Sequence, residues 1–217
     1  MPAHLEPAAA QADAQWQRVG EGVLAGICHT LNSRVTALWG IAELLSADGA
    51  NTSLTALLRA ELERLERLAR LLQWVPRRPG RGVEPVSLAD VLPELVELQR
   101  EYRGFEGTEV ELEGDPLTPA IVVDPAALGR AVLLLLTAAV RVAPRPGRVT
   151  AAYGPAGAAA ALTIRVPGAE LPPDVADGAL PEVEAARQIL NGAGELSVSH
   201  GAGSTAALDI AVRFPAA

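Results

Sequence analysis

Of the three histidines in this chain, His29 alone stands in a strongly periodic segment, Leu24 to Leu45, LAGICHTLNSRVTALWGIAELL. A neutral imidazole nitrogen is a good nucleophile near neutral pH and can accept a phosphoryl group. On a wheel of about 100° per residue, His29 falls opposite the apolar stripe Leu24, Ile27, Leu31, Val35, Leu38, Ala42 and Leu45. The ring is therefore expected to face solvent. Around it on that face are Gly22, Gly26, Ser33, Thr36 and Gly40, all small, leaving room for a partner's backbone. Interior glycines each cost a helix about 1 kcal/mol against alanine, so three on one face point to close approach. Thr30 can hydrogen-bond weakly beside the ring. Arg34 has the fork geometry to attract an acidic surface or steady a phosphate, or is a plain solvated charge.

Such residues need a rigid carrier. The stripe, whose centre lies near Leu31 and Leu38, predicts a first helix over Trp16 to Leu45, and the turn Ser46 to Ser53 leads to a second from about Leu54 to Trp74. That second helix aligns Leu54, Leu58, Leu62, Leu65, Leu68, Leu72 and Val75, and places Glu63 with Arg67 and Glu66 with Arg70 at i,i+4. A two-helix hairpin has apolar seams but too little mass to close a core, so pairing with a second copy into a four-helix bundle is expected. Trp39 and Trp74 read as packing residues, with lining of a partner contact as the lesser alternative.

The segment from Pro76 to Pro85, PRRPGRGVEP, reads as a linker. Beyond it the pattern gives a helix over Ser87 to Tyr102 capped by Ser87, strands near Thr108 to Leu112 and Ala120 to Val123, and a helix from Pro125 to Val142. There follow a hairpin of Gly147 to Tyr153 with Ala158 to Val166, a helix over Pro181 to Leu190, and strands Gly194 to Ser199 and Thr205 to Phe214 joined by the turn from His200 to Ser204. The fold class is α+β: a helical hairpin followed by an α/β sandwich with a largely antiparallel sheet. The boundaries are 1–14 for a disordered tail, 15–76 for the hairpin, 77–85 for the linker and 86–217 for the sandwich.

With a formal net charge of −8 over 217 residues and no basic stripe, the chain repels phosphate backbones and anionic lipid, which argues against nucleic-acid and membrane partners. The single cysteine, Cys28, forms no internal disulfide, lacks zinc-site spacing and reads as a small buried hydrophobe in a reducing compartment. Met1 to Ala14 lacks the basic start and apolar run of an export signal. The apolar run Ala131 to Val140 is about half the ~20 residues that cross a bilayer and reads as a core helix.

The segment Leu24 to Leu45 resembles the phosphoacceptor helix of bacterial histidine kinases. Leu128 to Tyr153, LGRAVLLLLTAAVRVAPRPGRVTAAY, and Ala186 to Pro215, ARQILNGAGELSVSHGAGSTAALDIAVRFP, resemble their ATP-binding domain. The resemblance implies that His29 is the phosphoacceptor; it also implies an acidic residue after the histidine and a proline five positions on, where this chain has Thr30 and Arg34. Two asparagines near the nucleotide's magnesium are replaced by Leu134 and Ala138, which cannot ligate a hard cation. In RVPGAEL, Val166 stands where an aspartate would read adenine. Between Gly168 and Val183 the glycine-rich lid gives way to a single Gly178, with Pro172, Pro173 and Pro181, and Pro167 on the flank.

The resemblance is strongest to the dimeric histidine phosphotransferases of phosphorelays, which pair a kinase-like hairpin with a degenerate nucleotide domain. The expected function is phosphoryl carriage on His29 to or from the aspartates of response-regulator receiver domains. No ATP or other cofactor is expected and no metal, magnesium coming only with a receiver; the expected location is cytoplasmic. The alternative is a non-catalytic, pseudokinase-like module that binds response regulators or a partner kinase.

Overall fold

The computed structural model describes residues 5–48, 52–75, 80, 82–102, 107–169, 171, 180–201 and 207–215. Two helices come first, α1 (Leu5–Asp48) and α2 (Thr52–Leu72). There follow β1 (Glu84–Val86), α3 (Leu88–Arg100), β2 (Thr108–Gly114), β3 (Ile121–Val123) and α4 (Pro125–Val142). The chain continues through β4 (Gly147–Ala156), β5 (Ala159–Pro167), α5 (Pro181–Leu190), β6 (Glu195–His200) and β7 (Ala207–Phe214).

The five-stranded sheet runs β2-β4-β5-β7-β6, with β2 parallel to β4 and the other neighbours antiparallel. A separate pair joins β1 to β3. The last two residues of the expected linker, Glu84 and Pro85, thus belong to a strand; Pro76 to Pro79 and Arg81 lie outside the described residues.

Helix α4 is the centre of the globular half. Asp124 caps it, accepting hydrogen bonds from the backbone of Ala126 at 2.8 Å and Ala127 at 3.1 Å, and Pro125 supplies the helical φ of the first position. Its leucines, valines and alanines are buried between α3, α5 and the inner face of the sheet. By length and composition α4 could cross a bilayer, but 83% of it is buried inside the fold. In α3, Ser87 occupies the N-cap position but makes no side-chain capping bond, unlike the expectation.

Helix α1 differs most from the sequence reading. It begins at Leu5, so most of the segment expected as a disordered tail is helical. Ala12, Trp16, Val19, Val23 and Ile27 are buried along one seam, facing α5 and α4. Trp16 packs with the guanidinium of Arg130 on α4, 4.9 Å from its ring centre.

Beyond Ile27 the buried seam stops, and the second half of α1 runs beside α2. Of the expected stripe, Leu24, Leu31 and Val35 are exposed in the single chain, as is Trp39 at 69%. The expected packing role therefore holds for Trp74 but not for Trp39. Leu57 and Leu62 on α2 are exposed as well, so the hairpin carries an uncovered apolar surface.

Two glycines seat the hairpin on the globular half. A Cβ at Gly129 of α4 would stand 2.8 Å from the Trp74 ring, and one at Gly22 of α1 would stand 2.5 Å from the Tyr102 ring. Only hydrogen at these positions permits both aromatic contacts.

Candidate functional site

His29 lies on α1 just past the end of the buried seam, and its side chain is exposed. The helix explains both facts, because Ile27 faces the core and a residue two positions on points about 200° away. Cys28 is also exposed, correcting its expected burial; one further step along the helix carries it off the seam.

The expected small-residue surface is only partly present. Gly26 is buried, Gly22 is half covered by Tyr102, and the open positions are Ser33, Thr36 and Gly40, the last with open space where a Cβ would stand. The α1 seam draws the N-terminal glycines inward, because the helix packs on the globular half there. The small, open positions beside His29 are therefore those on its C-terminal side.

Ser33 Oγ donates to the His29 carbonyl at 3.1 Å and Thr36 Oγ1 to the Asn32 carbonyl at 3.0 Å. Both hydroxyls bond back one turn along the helix. Arg34 is no plain solvated charge, since its Nη1 lies 3.4 Å from both carboxylate oxygens of Glu61 on α2. Arg64 meets the same carboxylate. Thr30 Oγ1 donates to Glu101 Oε2 at 2.6 Å.

Between α1, α2 and α3 these groups border a cavity of about 270 Å³, lined by Thr30, Arg34, Arg64, Arg67, Arg100 and Glu101 among others. Arg67 lies 3.5 Å from Glu97 on α3, where i,i+4 pairing with Glu63 was expected, and Arg100 Nη2 donates to the Val110 carbonyl at 2.9 Å. The cavity wall is a lattice of arginine and glutamate, mostly compensated. Sequence reasoning missed Glu61, Glu97, Glu101, Arg64 and Arg100, and gave Arg67 a different partner. The available signal was Glu94, Glu97 and Glu101, spaced by three and four residues on the face of α3 away from Leu88, Leu92, Leu95 and Leu98.

At the positions that resemble a nucleotide site, Leu134, Ala138 and Val166 are each 0% exposed within the hydrophobic core. They offer neither an oxygen ligand for magnesium nor an acceptor for adenine, so these residues do not fit a magnesium nucleotide. Residues 170 and 172–179, which include most of the region compared with the lid, lie outside the described residues, as do His4 and residues 202–204 of the 200–204 turn. His200 ends β6. Among the described residues no group of three or more His, Cys, Asp or Glu is placed to hold a metal ion.

No family model matches the chain, and no curated protein matches it. Solved structures do. The histidine kinase AdeS of Acinetobacter baumannii is 16% identical, covering 86% of this chain and 97% of its own, with a TM-score of 0.48. The catalytic domain of histidine kinase ThkA is 12% identical over 61% of this chain and 96% of its own, with a TM-score of 0.51. Full-length ShkA, solved in complex with AMPPNP, is 18% identical over 89% of this chain and 46% of its own, also at 0.51. The fold is that of a histidine kinase core. Within that core the hairpin is α1 with α2, and the α/β part is the five-stranded sheet with α3, α4 and α5 against it.

Proposed function

We propose that this chain is a histidine phosphotransferase of a two-component phosphorelay, carrying phosphoryl on His29 to or from receiver aspartates without binding ATP. The observation that carries the proposal is the contrast between two sites. His29 is exposed on a rigid helix, whereas the positions that would hold a nucleotide are apolar core. Phosphoryl transfer needs mainly positioning and charge neutralisation around an in-line displacement, and a receiver brings its own magnesium.

In this reading the partner is a response-regulator receiver domain that approaches along Ser33, Thr36 and Gly40. A second copy of the chain covers Leu31, Val35, Leu57 and Leu62, completing a four-helix bundle. A cytoplasmic location belongs to the same proposal. Gly22, Gly26 and Arg34 leave the contact surface, being engaged within the fold.

The test mixes the protein with phosphorylated receivers, in parallel with His29→Ala, and titrates magnesium ATP by calorimetry. Receiver-dependent label on the parent protein only, with no nucleotide heat, is expected. Unchanged pathway output from His29→Ala, with no label on either protein, would favour the non-catalytic binding module.

A further inference from the structure

The acidic face of α3 ends beside Thr30, the residue that follows His29. Its three carboxylates each meet the hairpin in turn. Trp74 Nε1 donates to Glu94 at 2.6 Å, Arg67 Nη1 lies 3.5 Å from Glu97, and Thr30 Oγ1 donates to Glu101 Oε2 at 2.6 Å. The last of these spans 71 positions in sequence and falls on the residue directly after His29. Glu101 is half buried, and no hydrogen bond to its other oxygen, Oε1, is found among the described residues.

An imidazole that attacks with one nitrogen carries a proton on the other. A carboxylate accepting that N–H fixes the tautomer, holds the ring in place and stabilises the positive charge that develops as the attacking nitrogen bonds phosphorus. Thr30 follows His29 directly on α1, so the carboxylate held on Thr30 belongs beside the residue that carries the ring.

We propose that Glu101 supplies this carboxylate to His29, and that Thr30 is the positioning residue that holds it there. The inference rests on the phosphotransfer reading above. One ring nitrogen of neutral His29 attacks the phosphorus of an aspartyl phosphate; the N–P bond forms, the aspartyl O–P bond breaks, and aspartate leaves as its carboxylate with the bonding pair. The phosphorylated ring is an imidazolium whose remaining N–H stays bonded to Glu101, so no proton has to leave. Transfer to a receiver is the reverse. Glu94 and Glu97 belong to the same seam but act as struts, because their partners, Trp74 just past the end of α2 and Arg67 on α2, lie away from His29 in sequence.

The test uses the full chain and two phosphodonors, a phosphorylated receiver and potassium phosphoramidate, with ¹⁵N NMR of the His29 ring as a readout independent of transfer. Glu101→Gln is expected to slow His29 phosphorylation by either donor by about 10- to 100-fold and to turn one ring tautomer into a mixture. Thr30→Val gives a smaller loss. Thr30→Glu added to Glu101→Gln restores the rate by returning a carboxylate from α1. Glu94→Gln, the same loss of charge at the end of the seam away from His29, stays within about twofold of the parent. Glu101→Gln within twofold of the parent with an unchanged tautomer overturns the inference, as does Glu94→Gln slowing transfer equally. A protein that shows the tautomer change and reacts with phosphoramidate but not with any receiver leaves Glu101 in its role and sinks the receiver reading.

Discussion

Trp16→Ala tests whether the N-terminal part of α1 is docked on the globular half. Trp16 is 7% exposed, and its ring faces the guanidinium of Arg130 at 4.9 Å. Truncating a buried tryptophan to alanine costs about 3 to 5 kcal/mol, of which the lost cation–π contact accounts for about 0.5 to 1. The better helix propensity of alanine returns only a few tenths. For a chain of this size each kcal/mol moves the melting point by about 2 to 4 °C, giving a fall of about 6 to 20 °C. Trp39→Ala is the internal comparison: the same substitution in the same helix, at a residue 69% exposed, costs less than about 0.5 kcal/mol. Urea unfolding followed by circular dichroism at low protein concentration measures both. Equal losses, or a Trp16→Ala loss under 1 kcal/mol, would refute the docking of α1 on α4 and α5.

Three further outcomes follow from named contacts. Ala138→Asn, which restores an amide where the nucleotide domain would carry one, lowers stability by about 2 to 5 kcal/mol and confers no ATP binding, because it overpacks a fully buried position and leaves the amide unsatisfied; urea midpoints and calorimetry report the two parts. Asp124→Ala removes the cap of α4 and costs about 1 kcal/mol in the same unfolding assay. Leu31→Arg places a charge on the uncovered hairpin seam and, under the proposed pairing of two copies, shifts the protein to monomer in sedimentation, while the circular dichroism of the single chain is retained.

What local pattern encodes was legible, and what distant surfaces decide was not. Pro125 behind a capping aspartate and the apolar run after it set α4 from Pro125 to Val142, and Pro181 with the following amphipathic turns set α5. Exposure of His29 followed from helix geometry alone. The docked part of α1 was carried by Ala12, Trp16, Val19, Val23 and Ile27, a seam at three- and four-residue spacing obscured by the small and polar residues of the first fourteen positions. The overlapping stripe of Leu24, Leu31 and Val35 is equally regular, and composition does not say which seam the chain itself covers. The bond from Thr30 to Glu101 pairs residues 71 apart, and no periodicity within either helix announces it. Gly22 and Gly26 look alike in sequence to Gly40, yet only Gly40 is open, since packing of Tyr102 and of the α1 seam closes the other two.

The most direct test of phosphoryl carriage is site mapping. A receiver labelled at its aspartate is mixed with the protein, and the acid-labile phosphate is located by mass spectrometry. Phosphate is expected on His29, abolished by His29→Gln and unaffected by removing ATP. Phosphate on another residue, label that persists in His29→Gln, or labelling that requires ATP would contradict it.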